Sequence, residues 1–247
     1  MAKDLFSKQA EGYARYRPVY PPELYEYIYS FVKEKNTAWD CATGNGQAAL
    51  ELARVFEKVY ATDISEQQLK QAQQHKKIHY STTAAEETPF ADNSFNLVTV
   101  AQAYHWFNFD AFYKEVMRVA CKEAVIAIWG YSLVQCSNEK INAHIQGYYK
   151  NVVGPFWDRE RRFVDEHYTT VLFPWQELPS KQFEIAVQWT IADFNGYLNT
   201  WSALQHFIKA NQYNPVDGFI TELQKYWPAG ELLSFHFPVF LRLGRVK

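Results

Sequence analysis

The stretch Trp39–Ala49, WDCATGNGQAA, decides how this chain is read. It runs from an apolar strand through an acid, Asp40, into a glycine turn and then into residues that favour helix. A second strand, KVYATD, ends in Asp63, 19 residues beyond Gly44. Glycine lets the turn adopt left-handed dihedrals and lets a ligand approach the main chain. The helix behind the turn aims unpaired amides at the same spot. A carboxylate at the tip of the following strand accepts the hydroxyls of a ribose. The pattern predicts a crevice for a nucleoside-bearing cofactor.

Outward from this turn, strands and helices alternate. Apolar runs predict strands over 37–41, 58–62, 78–82, 95–101 and 124–129, with helices over 47–55, from Ser65 onward, and through Phe109, Phe112, Tyr113, Val116 and Val119. Such alternation implies a parallel sheet with right-handed crossovers. Residues 1–33 read as a helical cap broken at Pro18 and at Pro21-Pro22, because the residue before a proline avoids the helical region. Residues 131–180 break the pattern and read as a helical insert covering the carboxyl edge of the sheet. Asp193 is expected to cap a later helix. The alternating segments 183–189 and 232–243 then close the sheet with an antiparallel strand, where Pro238 predicts a bulge or an unpaired edge. The whole, 1–247, reads as one domain.

Composition narrows the partners. A net charge of -2 gives no electrostatic footprint for nucleic acid or for an anionic membrane. No apolar run reaches the roughly 18–20 residues needed to span a bilayer, and the first residues are polar and charged. Cys41, Cys121 and Cys136 are odd in number and widely spaced, which predicts reduced thiols and a cytoplasmic setting. The seven histidines show no metal-ligand spacing, so no metal is expected. An aromatic content of 17%, much of it outside the cofactor core, predicts a separate apolar pocket.

GNGQAA alone matches the G-x-G-x-x-A dinucleotide fingerprint, but no second nucleotide-binding half follows. The acid, small residue and two glycines, the acid at Asp63, and the segments FSKQAEGYARYRPVYP, AEETPFADNSFNLV, AQAYHWF and YLNTWSALQHF together resemble class I S-adenosylmethionine-dependent methyltransferases. Within that class the resemblance is to the small-molecule type 11 and trans-aconitate methyltransferase-like subgroup. It implies a Rossmann-like α/β fold: a seven-stranded, mostly parallel sheet with an antiparallel last strand and helices on both faces. S-adenosyl-L-methionine would be the cofactor and a carboxylate or other oxygen of a small molecule the acceptor, in a monomer or dimer.

Carried over by position, the resemblance assigns Asp40, Ala42, Gly44 and Gly46 to the methionine part of the cofactor. Asp63 takes the ribose, Ile64 and Gln68 lie by the adenine, and Ala84, Ala85 and Glu86 line its edge. Gln102 and Ala103 fall near the sulfonium, with His105 and Trp106 towards the acceptor and His105 a candidate catalytic group or a structural hydrogen-bonding one. Tyr13 and Arg17 form a Y-x-x-x-R-P element that closes over the methionyl carboxylate or the acceptor. Ala42 departs from the family pattern, with a methyl group where a glycine is usual. Ala84 stands where relatives place an acid. These departures leave a non-catalytic cofactor-binding protein as a rival reading, and GNGQAA a nicotinamide-dependent oxidoreductase. Arg159, Arg161 and Arg162 read as a solvated charged face.

Overall fold

Side chains that alternate along parallel strands divide the core into two layers, as a period of two requires. The computed structural model describes residues 16–247; the expectation for Tyr13 lies outside them. Strands β1 (Thr37–Cys41), β2 (Lys58–Asp63), β3 (Ile78–Thr82), β4 (Phe95–Ala101) and β5 (Ala120–Tyr131) lie side by side in the order 3-2-1-4-5, all parallel. Ala38, Val59, Leu97, Val125 and Trp129 enter one layer, beneath α1 (Pro22–Tyr29) and α2 (Gln47–Ala53). Trp39, Cys41, Val98, Ile126 and Ile128 enter the other, beneath α4 (Phe109–Val119); α3 (Glu66–Lys70) joins β2 to β3. Burying a side chain such as Leu97 contributes about 2 kcal/mol before entropy is counted.

The sheet ends on β9 (Leu233–Arg245), antiparallel to β5 on one edge and to β8 (Phe183–Trp189) on the other. Val239 marks the junction, facing Tyr131 on one side and Phe183 on the other. Two-residue strands β6 (Gln135–Cys136) and β7 (Gln176–Glu177) extend these two edges, giving nine strands in all. The seven longer ones form the expected mostly parallel sheet with one antiparallel member.

Pro238 is not bulged, but the edge it turns towards β5 and β6 is unpaired there, one of the two expected outcomes. Its pairing with Glu184 of β8 is in unbroken register. Its carbonyl accepts from Ser132 N at 2.9 Å on the opposite edge, where the β5 pairing stops and β6 has not begun. In an antiparallel strand a residue's N and O face the same neighbour, so the missing N–H falls in that gap.

Between β6 and β7 lie α5 (Glu139–Gly147) and α6 (Arg161–Asp165), and between β8 and β9 lie α7 (Ile191–Leu198), α8 (Ser202–Asn211) and α9 (Val216–Leu223). Side-chain caps set several starts: Ser65 accepts from Gln68 N, Asn108 from Ala111 N, and Asn138 from Ile141 N, each contributing about 1 kcal/mol. Asp193 is not an N-cap. Thr190, the extended residue after β8, fills that position, and Asp193 completes its capping box from the third helical residue. Among the described residues no helix is long and apolar enough to cross a membrane.

Candidate active site

The carboxyl ends of β1, β2 and β4 open into a crevice with about 1190 Å³ of open space. Its floor is the glycine turn. Thr43 N donates to Thr62 O at 2.9 Å, folding the turn back onto β2. Asp63 Oδ2 accepts from Gly44 N and its Oδ1 from Ser65 N, both at 2.8 Å. These two amides fix the carboxylate at the tip of β2. Gly46, at φ +83°, cannot be replaced freely: a Cβ there would stand 2.5 Å from the Tyr80 hydroxyl. Ala42 sits at φ +54°, a region where a side chain costs about 1–2 kcal/mol. The glycine usual at this position would avoid that cost.

Arg17, Ala42, Gly44, Asp63, Ile64 and Gln68, expected at the cofactor, line the crevice, and so do Ala85, Glu86, Gln102 and Ala103; Trp106, expected towards the acceptor, lines it too. Three predicted residues do not: Asp40, Gly46 and Ala84. Asp40 is 1% exposed, and it accepts from Thr99 Oγ1 at 2.8 Å and from the Thr43 hydroxyl. Its carboxylate therefore braces the turn from beneath. Burial lifts its pKa to about 6 against the pull of those hydroxyls. Gly46 lies behind the turn against Tyr80; between Thr83 and Ala85, both in the wall, Ala84 is not.

Thr43, Asn45, Gln47, Thr83 and Tyr131 also line the crevice and were not predicted. The first three adjoin the motif, so adjacency alone would have found them. Tyr131 comes from the end of β5 and carried no local signal.

Gln102 shapes the rim. Its backbone turns left-handed at φ +55° and leaves the β4 line. Its side-chain amide then takes over the sheet pairing, accepting from Tyr131 N at 2.7 Å and donating to Tyr131 O at 3.3 Å. Gly130 makes room, since a Cβ there would meet Gln102 Oε1 at 2.6 Å. Arg17 Nη1 donates to the Tyr131 hydroxyl at 2.6 Å and its Nη2 to Thr200 O at 3.0 Å.

A second chamber, with about 630 Å³ of space, shares Arg17, Gln102, Trp106 and Tyr131 with the crevice. Its other walls come from Tyr149, Trp157 and Arg161 of the 131–180 segment, from Tyr197 and Trp201, and from His105. His105, expected towards the acceptor, lines this chamber and not the crevice. Its Nδ1 lies 2.9 Å from the Tyr168 hydroxyl. Burial, reinforced by the Arg161 charge, lowers its pKa to about 3, so the ring is neutral at physiological pH.

Arg161 corrects the reading of a solvated arginine run. Its side chain is 16% exposed and pairs with Asp165 at 3.2 Å. The signal missed was its spacing: Asp165 follows four residues on, and Trp157 precedes by four. Among the described residues no group of three metal-binding side chains occurs.

The floor amides, the fixed Asp63 and the apolar Ile64 and Ala85 fit the amino-acid, ribose and adenine portions of one cofactor. Comparison with known proteins points the same way. The model of the methyltransferase domain family matches residues 39–128. A Dictyostelium discoideum protein designated a methyltransferase is 31% identical, over 98% of this chain and 95% of its own length. CRG1 of Saccharomyces cerevisiae, designated an S-adenosylmethionine-dependent methyltransferase, is 22% identical over 97% of this chain and 96% of its own. The solved structure of a type II methyltransferase from Anaeromyxobacter dehalogenans superposes with a TM-score of 0.86 at 34% identity, covering 93% of this chain and 98% of that one. Full-length relatedness at this level, on a sheet and turn of this design, means that the chain belongs to the class I S-adenosylmethionine-dependent methyltransferases and uses S-adenosylmethionine as its cofactor.

Proposed function

We propose that the enzyme methylates an oxygen of a small carboxylic acid held in the second chamber. The observation that carries this reading is the shared mouth: Arg17, Gln102, Trp106 and Tyr131 belong to both cavities. S-adenosylmethionine, when bound, supplies an electrophilic methyl group on a sulfonium. The chain's own part is then alignment, because an in-line displacement gains most from holding the reacting atoms at about 3 Å. Asp63, the turn amides and Glu86 are assigned to the donor. Tyr131 and Trp106 form the wall between donor and acceptor, and Arg17 is fixed across that wall by the Tyr131 hydroxyl and Thr200 O.

A carboxylate is already ionised at neutral pH, so the acceptor needs no strong base. That suits a chamber whose one histidine is neutral and tied to Tyr168. In this reading the 131–180 segment covers the acceptor, and the unpaired Cys41, Cys121 and Cys136 support a cytoplasmic setting.

The test is transfer of labelled methyl from S-adenosylmethionine to a panel of small carboxylic acids, phenols and amines. Methyl esters release labelled methanol in alkali. Alkali-labile product is expected; label appearing only in alkali-stable products contradicts a carboxylate acceptor.

A further inference from the structure

We propose that Arg161 anchors an anionic group of the acceptor that is separate from the oxygen receiving the methyl, which makes the acceptor a small acid with a second polar function on an aromatic or branched apolar body. This rests on the assignment of the second chamber to the acceptor.

Arg161 is a largely buried cation with its fork left open. Its Nε donates to Tyr149 Oη at 3.1 Å and to Asp165 Oδ1 at 3.2 Å. Nη1 and Nη2 have no hydrogen-bond partner among the described residues. Both nitrogens keep access to the chamber, where an anion can take them in place of water. The guanidinium also sits against two aromatic rings, its Cζ 4.9 Å from the centroid of Trp157 and 5.7 Å from that of Tyr149. A planar fork fixed in this way matches a carboxylate in two parallel hydrogen bonds and loses little entropy in making them.

Position separates this anchor from the reacting end. Tyr149, Trp157 and Arg161 line only the chamber, whereas Gln102 and Trp106 also line the crevice. An acceptor with its nucleophilic oxygen at the shared mouth therefore extends its remaining atoms into the part of the chamber that Arg161 lines. His105 adds a second donor there. The Tyr168 hydroxyl is buried and has one acceptor within reach, His105 Nδ1. Donating to it satisfies both groups and places the ring proton on Nε2, so His105 presents an N–H to the chamber and is a positioning group in place of a base. Asp158 also lines the chamber. Among the described residues its Oδ2 is buried without a hydrogen-bond donor, 3.8 Å from His206 Nδ1.

Three probes of one ring shape test the anchor on enzyme loaded with S-adenosylhomocysteine: isophthalate, benzoate and benzamide. Binding is read from the ¹⁹F resonance of 5-fluorotryptophan at position 157, assigned with Trp157→Phe. Benzoate and isophthalate are expected to bind at least about tenfold more tightly than benzamide, and Arg161→Met should erase that difference. Arg161→Lys, which keeps the charge and loses the fork, should fall between the two. Calorimetry with S-adenosylhomocysteine checks that each variant is folded, and Arg161→Lys stands in if Arg161→Met is not. The proposal is overturned if benzamide matches benzoate, if neither variant weakens benzoate, or if neither acid binds saturably below about 20 mM. Loss of benzoate binding in Arg161→Met, with no alkali-labile methyl transfer to any acid, upholds the anion site while sinking carboxyl methylation, so the two readings fail separately.

Discussion

The cofactor crevice and the chamber beside it lie at the same ends of the same sheet, yet they are made differently. The crevice is mainly a main-chain device: a turn closing at Gly46, amides of Gly44 and Ser65 on one carboxylate, and an acid buried underneath. The chamber is a side-chain device, assembled from residues between Arg17 and Trp201 that meet only after folding. A main-chain site tolerates change in most surrounding side chains but not in its turn. A side-chain site changes its ligand whenever one wall residue changes. The contrast suits the proposed division, with an invariable donor in the first and a chain-specific acceptor in the second.

The largest expected effect breaks the crevice alone. Asp63→Ala removes the carboxylate proposed to hold the ribose and takes from the amides of Gly44 and Ser65 their acceptor, at about 1–3 kcal/mol each. Calorimetry should show S-adenosylhomocysteine affinity falling at least about a hundredfold; an unchanged affinity removes Asp63 from the site. Next is Gly46→Ala, which meets the Tyr80 ring as well as an unfavourable dihedral. It should cost about 2–4 kcal/mol in denaturant unfolding, and adding Tyr80→Ala should recover the steric part but not the dihedral part. Full recovery would mean the left-handed turn contributes nothing.

Acid titration sharpens the comparison, because the two regions respond with opposite signs. Asp40 has a folded pKa of about 6, above its ordinary 3.8. As pH rises the unfolded chain ionises first, so this group lowers stability between about 4 and 6, by about 3 kcal/mol in total. His105 has a folded pKa of about 3, below its ordinary 6.5. As pH falls the unfolded chain takes up the proton first, so this group lowers stability from about 6.5 down towards 3. Unfolding free energies measured from pH 4 to 7 should gain slope with rising pH in Asp40→Asn and lose it in His105→Gln. Parallel curves for both variants and the parent would contradict both assignments.

The smallest effect concerns Ala42. Ala42→Gly relieves its left-handed dihedral but frees the unfolded chain, so a net gain of about 0.5–1 kcal/mol is expected. A loss of stability would show that the methyl group packs usefully at the crevice rim.

The same contrast explains what was legible in the sequence. Strand limits at 37–41, 78–82 and 95–101 match the structure residue for residue, because apolar runs bounded by turns carry their own signal. The turn and strand-tip parts of the crevice were legible because they sit within a few residues of one glycine turn and Asp63. Arg17, Ala85, Glu86, Gln102 and Ala103 were legible only through the family resemblance. Asp40 and Gly46 were placed on the right turn but on the wrong side of it, since spacing fixes sequence order and not which face a side chain takes. Arg161 was missed because its burial depends on Trp157 and Tyr149 closing over it. For Pro238 the unpaired edge was foreseen but not its cause, the point where two partner strands exchange on one side of β9.

The division of labour between the two cavities is tested most directly by a crystal structure of the enzyme with S-adenosylhomocysteine. The ribose hydroxyls should rest on Asp63 and the thioether sulfur should face the mouth framed by Gln102, Trp106 and Tyr131. A sulfur turned away from that mouth, with the second chamber sealed from it, would contradict the account.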